Sequence, residues 1–134
     1  MTKNANANHT ETALTDIVVV TTADNEDPAF ASLGASLAEI RKMDGVLGYI
    51  IRSNVSAVLD LAKNDEISQY ALFSYQLDQS SMEIAKQLSV AEIESALVEG
   101  SSLKVLLMKI GENKISVFME KNANHSAIIK RILI

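Results

Sequence analysis

Histidines, carboxylates and arginines are the side chains of this 134-residue chain with catalytic potential, and their spacing does not group them as catalysis or metal binding requires. The histidines are His9 and His125, far apart in sequence. A metal site needs three or four ligands, and a Ser-His-Asp arrangement needs a histidine held between a carboxylate and a nucleophile. Both histidines read as solvated surface groups. Glu92 and Glu94 alternate along an apolar run with Glu99 close behind, which places the first two on one face of a strand. That pattern suits a hydrolytic carboxylate pair or an exposed strand guarded by charge against aggregation, and the guard is preferred. Gly34, Gly45, Gly48, Gly100 and Gly111 form no Gly-x-Gly or Gly-Lys-Ser context, so no phosphate loop is recognisable. Arg41, Arg52 and Arg131 could each serve as an arginine finger in phosphoryl transfer, but a lone arginine reads first as surface charge. Without cysteine there is no thiolate nucleophile, Cys-ligated zinc or disulfide. The expectation is a protein without catalytic residues, cofactor or metal.

Composition narrows the partners. A chain that is 48% hydrophobic can bury one real core, and its net charge of −5 offers no basic field to a phosphate backbone or an anionic membrane. Nucleic acid and membrane insertion are therefore not expected, since no run approaches the ~18 apolar residues of a span. The start of the chain lacks an apolar leader core, and a soluble cytoplasmic protein is expected.

The elements that must position these residues follow from periodicity. Residues 1–27 are rich in Asn, Thr, Ala and Asp and read as a mobile tail. Its one apolar island, Ile17-Val18-Val19-Val20, is either a sticky patch or a strand seeking a sheet edge. A domain is expected over 28–134. Asp27 and Pro28 open a helix whose Phe30, Leu33, Leu37 and Ile40 form one stripe, stopped by Gly45. Two continuously apolar strands, 46–51 and 57–62, join through Ser53-Asn54, and continuous apolarity means both faces of that hairpin are covered. A long helix runs from an Asn64 cap to about Leu88, with Ile67, Tyr70, Ser74, Leu77, Ser81, Ile84 and Leu88 on its core side. A second stripe, Leu72, Tyr75, Gln79 and Met82, is more apolar surface than one sheet face needs, and a second copy of the chain is the simplest cover. Three strands in a meander, 91–98, 103–110 and 114–119, precede a closing helix capped by Asn122 or Asn124.

This succession resembles the Roadblock/LC7 family. The resemblance rests on the element order from Pro28 to Leu133, on the junction Met43-Asp44-Gly45-Val46-Leu47-Gly48-Tyr49-Ile50-Ile51, on Leu97-Val98-Glu99-Gly100 leading into Val105-Leu106-Leu107, and on the ending from Lys121 to Ile129. One departure is Ser53-Asn54-Val55-Ser56 where the family often has Asp-Gly; Asn54 is expected to supply the positive φ. The resemblance implies an α+β fold, αββαβββα, with a five-stranded antiparallel sheet, profilin-like in shape. The long second helix lies on one face and the first and last helices on the other. It implies a homodimer, or a heterodimer with a paralogue, joined by Ile93, Ser95 and Leu97 on a shared edge strand and by Leu72, Tyr75, Gln79 and Met82 on paired helices. It further implies a non-catalytic scaffold that regulates a Ras-like small GTPase, or an adaptor in a motor-like complex; the mixed aromatic, Met and polar face of Tyr75, Asp78, Gln79 and Met82 is the expected docking surface, unless it serves only dimer or core packing. The alternative is a small-molecule sensor of profilin or PAS type, which needs a pocket between sheet and helix.

Overall fold

The computed structural model describes residues 9–11, 17–21, 28–61, 67–89 and 91–133. The sheet is built around two strands that the sequence makes apolar on both sides, β3 (Val46–Arg52) and β7 (Asn113–Glu120), which pair with each other antiparallel. Beyond β3 lies β4 (Ser56–Leu61), and beyond β7 lie β6 (Leu103–Ile110) and β5 (Ser95–Glu99). These five strands are those expected for the domain.

The sheet does not stop there. Two further strands, β1 (His9–Glu11) and β2 (Ile17–Thr21), give seven strands in the order β1-β2-β4-β3-β7-β6-β5. Ile17 pairs with Asp60 and Thr21 with Ser56, so the β-branched island runs antiparallel along the edge of β4. The expectation of a mobile tail over 1–27 is corrected for these residues. An unpaired β4 would present a row of unsatisfied backbone groups, and β2 satisfies them. The rest of 1–27, including the Asp27 cap, lies outside the described residues, as does the Asn64 cap.

Alternation sorts the core into two layers. Tyr49, Ile51, Leu106, Met108, Ile115, Val117 and Met119 point to one face, where α1 (Pro28–Ile40) brings Phe30, Leu37 and Ile40 and α3 (His125–Leu133) brings Ile128 and Ile132. Ile50, Leu59, Leu61, Val105 and Phe118 point to the other, beneath α2 (Ile67–Gln87). Tyr70 of α2 meets Phe118 edge-on, ring centroids 4.7 Å apart. The long helix on one face and the first and last on the other is the expected arrangement.

Local chemistry fixes the joints. Gly45 has φ +83°, in the turn leading into β3 rather than at the last turn of α1, and a Cβ there would meet that of Ala123 at 2.8 Å. Gly48 sits at a register shift between β3 and β7 where the β4 backbone comes close. In the first hairpin neither Asn54 nor Val55 takes a positive φ. Instead the Ser53 hydroxyl accepts the N–H groups of Val55 (3.2 Å) and Ser56 (3.1 Å), a serine turn in place of the expected asparagine one. Asn124 caps α3, its Oδ1 accepting the Ala127 N–H at 3.0 Å.

Arg41 closes α1 onto the sheet by donating to Asp60 Oδ1 (3.3 Å) and to the Val46 carbonyl (3.2 Å). Asp60 lies opposite Tyr49 on β3. Burial, helped by the Asp60 carboxylate and opposed by Arg41, pushes the Tyr49 phenol up to about 12. His125 is half-buried, its Nδ1 2.9 Å from the ammonium of buried Lys104, and so is not the solvated group expected of it.

Candidate functional site

The residues of α2 that are fully buried against the sheet are small or polar: Ser74, Asp78, Ser81 and Ala85. Short side chains let the helix lie close to the strands, where Ser74 and Ser116 share a hydroxyl hydrogen bond of 2.7 Å. Asp78 is drawn inward by charge. Arg52 and Lys114 are direct cross-strand neighbours on β3 and β7, a like-charge pair that repels unless an anion lies between. Asp78 Oδ2 accepts from both, at 2.9 Å from Arg52 and 2.8 Å from Lys114.

Ile67, Tyr70 and Leu77 pack partly buried on the layer beneath, while six other large apolar residues on α2 and at its end are left outside. Leu72, Phe73, Tyr75, Met82, Ile84 and Leu88 are all exposed, Tyr75 by 55% and Met82 by 54%. Leu72, Tyr75, Gln79 and Met82 follow at three- and four-residue steps, forming the continuous outer stripe expected of them. Gln79 Nε2 lies 3.9 Å from the Met82 sulfur. Two expectations on this helix are corrected. Ile84 and Leu88 do not face the core, because Ser81 and Ala85 fill that position. Asp78 is not on the outer face, because the cations beneath hold it.

The second component of the surface is β5. It pairs with β6 on one side and, among the described residues, has no strand on the other. Leu97 leans half-buried toward the layer under α1 and α3, Ser95 and Val98 are exposed, and Leu97 lies opposite Leu106. Strand geometry begins at Ser95 rather than at Ala91, so Ile93 is in the approach to β5, half-buried, and not on the edge strand itself. Glu92 and Glu94 therefore do not share a strand face. Glu92 pairs with Lys109 at 3.4 Å, and the Glu94 carbonyl accepts the Lys109 N–H at 2.9 Å, which leaves no hydrolytic pair.

Sequence reasoning passed over Lys109 and Lys114 and took Arg52 for lone surface charge, whereas these three cations lie together beneath α2. Only the strand register reveals them as a row, since Lys109 and Arg52 each lie directly opposite Lys114. Among the described residues no three His, Asp or Glu side chains gather to hold a metal ion, and no helix is long and apolar enough to cross a membrane.

No protein-family model matches the chain, and no curated protein matches it. Solved structures do. The Roadblock/LC7 domain from Streptomyces avermitilis aligns over 82% of this chain and 90% of its own length, with 12% identity and a TM-score of 0.59. The gliding protein MglB from Thermus thermophilus aligns over 80% of this chain and 84% of its own, at 13% identity and a TM-score of 0.63. An MglB with a tetrameric arrangement aligns over the same shares at 13% identity, with a TM-score of 0.62. At such identities the likeness is one of architecture, and by its fold this chain is a Roadblock/LC7-like domain.

Proposed function

We propose that this chain is a non-catalytic, dimeric scaffold that binds a Ras-like small GTPase and biases its state or location. The observation that carries the reading is the pairing of an uncovered apolar helix face with an unpaired sheet edge on a Roadblock/LC7-like fold. In the proposed dimer, copies meet through Ser95 and Leu97 on β5, with Ile93 at its approach, and through Leu72, Tyr75, Gln79 and Met82 on α2. A solved MglB with a tetrameric arrangement supports self-association as a habit of this fold. The paired helices then present Tyr75, Gln79 and Met82 to the GTPase, a mixed aromatic, thioether and amide surface suited to a reused interface. Asp78, tied to Arg52 and Lys114, takes no direct part. Regulation works by differential affinity: a platform that binds one nucleotide state better shifts the switch regions without adding a catalytic group. The cytoplasm is the matching location.

The test is the solution mass by light scattering, followed by capture of GTPases in each nucleotide state. The wild type is expected at about twice the 14.5 kDa chain mass, and Val98→Asp, a charge at an exposed edge position, as a folded monomer. Leu97→Asp serves as a second, harsher variant, since Leu97 also packs on the core. A wild type that is monomeric at micromolar concentration refutes the dimer. A dimer that retains no GTPase in either state refutes the partner.

A further inference from the structure

Between the C-terminal half of α2, the approach to β5 and the ends of β6 and β7 lies a cavity of about 330 Å³. Met82, Ile93 and Leu107 supply apolar wall, and Lys86, Lys109 and Lys114 bring ammonium groups to it. The cations are not scattered surface charge. Lys109, Lys114 and Arg52 stand abreast on three adjacent strands, directly opposite one another in register. Like charges in that relation destabilise a sheet. A single carboxylate oxygen, Asp78 Oδ2, serves both Arg52 and Lys114, and among the described residues the Lys109 ammonium pairs with Glu92 at 3.4 Å, whose side chain is 57% exposed. In a chain whose 17 acidic residues outnumber its 12 lysines and arginines, this one concavity carries three lysines against two carboxylates.

We infer that this cavity binds a small organic anion, its carboxylate or phosphate head against Lys86, Lys109 and Lys114 and a short apolar body against Met82, Ile93 and Leu107. The volume corresponds to about ten waters at liquid density, which limits the ligand to on the order of ten heavy atoms. Glu92 occupies the place of the head group from the solvent side and is displaced on binding. The cavity and its charges suffice for this binding, whether or not the chain docks a GTPase. Binding does bear on assembly, because Met82 and Ile93 belong to both the cavity wall and the proposed dimer surface, so that an occupant changes the stability of the dimer.

The experiment is thermal unfolding of the full chain with inorganic phosphate, hexanoate or phenyl phosphate, each at about 10 mM and compared with sodium chloride at equal ionic strength. Hexanoate or phenyl phosphate is expected to raise Tm by more than about 3 °C, and whichever does so names the head group. Lys109→Gln with Lys86→Gln abolishes the rise, and Glu92→Gln, which removes the competing carboxylate, enlarges it. No rise with either organic anion, a rise matched by inorganic phosphate alone, or an equal rise in the double lysine variant overturns the assignment. Light scattering on the same samples separates this outcome from that of the scaffold reading, since ligand stabilisation without a change of mass supports the cavity and leaves the dimer to its own test.

Discussion

Replacing Asp78 by alanine removes the carboxylate that Arg52 and Lys114 share and leaves two cross-strand cations under α2 with no counter-charge among the described residues. Breaking a buried ion pair in this way costs about 3–5 kcal/mol. The Asp78 side chain is 10% exposed, but those of Arg52 and Lys114 are 33% and 27% exposed and keep part of their hydration, so about 2–4 kcal/mol is the expected loss. Against a domain stability of about 5–15 kcal/mol this is large, and it lowers Tm by about 10 °C. Urea unfolding followed by circular dichroism measures it, as a fall in midpoint with the slope preserved. The signature that separates electrostatics from lost packing is the double variant. Lys114→Met added to Asp78→Ala removes one of the stranded cations and restores more than about 1 kcal/mol, although Lys114→Met alone destabilises. A loss below about 1 kcal/mol for Asp78→Ala, or a double variant worse than the single one, refutes the argument. Asp78 would then be returned to the pool of residues available to a partner.

Alkaline pH tests the Tyr49 cluster. The phenol is pushed up to about 12 in the folded chain and titrates near 10 when unfolded, so folded and unfolded states bind this proton equally below pH ~10. Between about 10 and 12 the unfolded state loses it first, and stability falls by about 1.4 kcal/mol per pH unit; Tyr49→Phe flattens that limb in urea titrations, and an unchanged limb excludes Tyr49 as its source. Two glycine substitutions are expected to act in opposite directions. A Cβ at Gly48 would lie 2.5 Å from the Asp60 carbonyl oxygen and 2.8 Å from the Leu61 Cα, both backbone of β4, so Gly48→Ala destabilises by more than about 2 kcal/mol. At Gly34, inside α1, a Cβ meets nothing within 4 Å, and Gly34→Ala stabilises by about 0.5–1 kcal/mol; both are read from thermal melts, and equal signs refute the geometry.

How far the fold is legible in the sequence depends on whether the information is local. The alternation of Tyr49 and Ile51 against Ile50, and of Val117 against Phe118, carries the two-layer core openly, because a strand assigns its faces residue by residue. The face of α2 is harder to read. Hydropathy favours Ile84 and Leu88 for the core and says nothing for Asp78. What turns the helix is the pairing of Arg52 with Lys114, residues 62 positions apart whose adjacency exists only in the folded register. The N-terminal strand is hidden for a similar reason. Ile17 to Val20 has strand composition, yet the β4 edge it satisfies lies some forty residues on, and polar neighbours on both sides argue for a tail. The Ser53 turn shows the complementary case, in which a local signal was present and asparagine was the wrong residue to credit.

The two ends of the sheet differ in a way that bears on assembly. At one end, among the described residues, the outer strand is β1, only three residues long and paired antiparallel with β2, a short edge. The other is β5, with five residues, no covering strand among the described residues and Val98 exposed on it. In the proposed dimer a second copy would extend the sheet at β5, and the carboxylates there disfavour some registers. If two β5 strands meet antiparallel with Leu97 facing its own copy, Glu99 faces Ser95 and no acidic residues are opposed. A shift that sets Glu94 against Glu99, or Glu99 against itself, places like charges directly across the pair. On the proposed dimer Glu94 and Glu99 thus act as a partial filter, penalising the alignments that oppose them to each other or Glu99 to itself and leaving the Leu97-centred register free of acidic clashes.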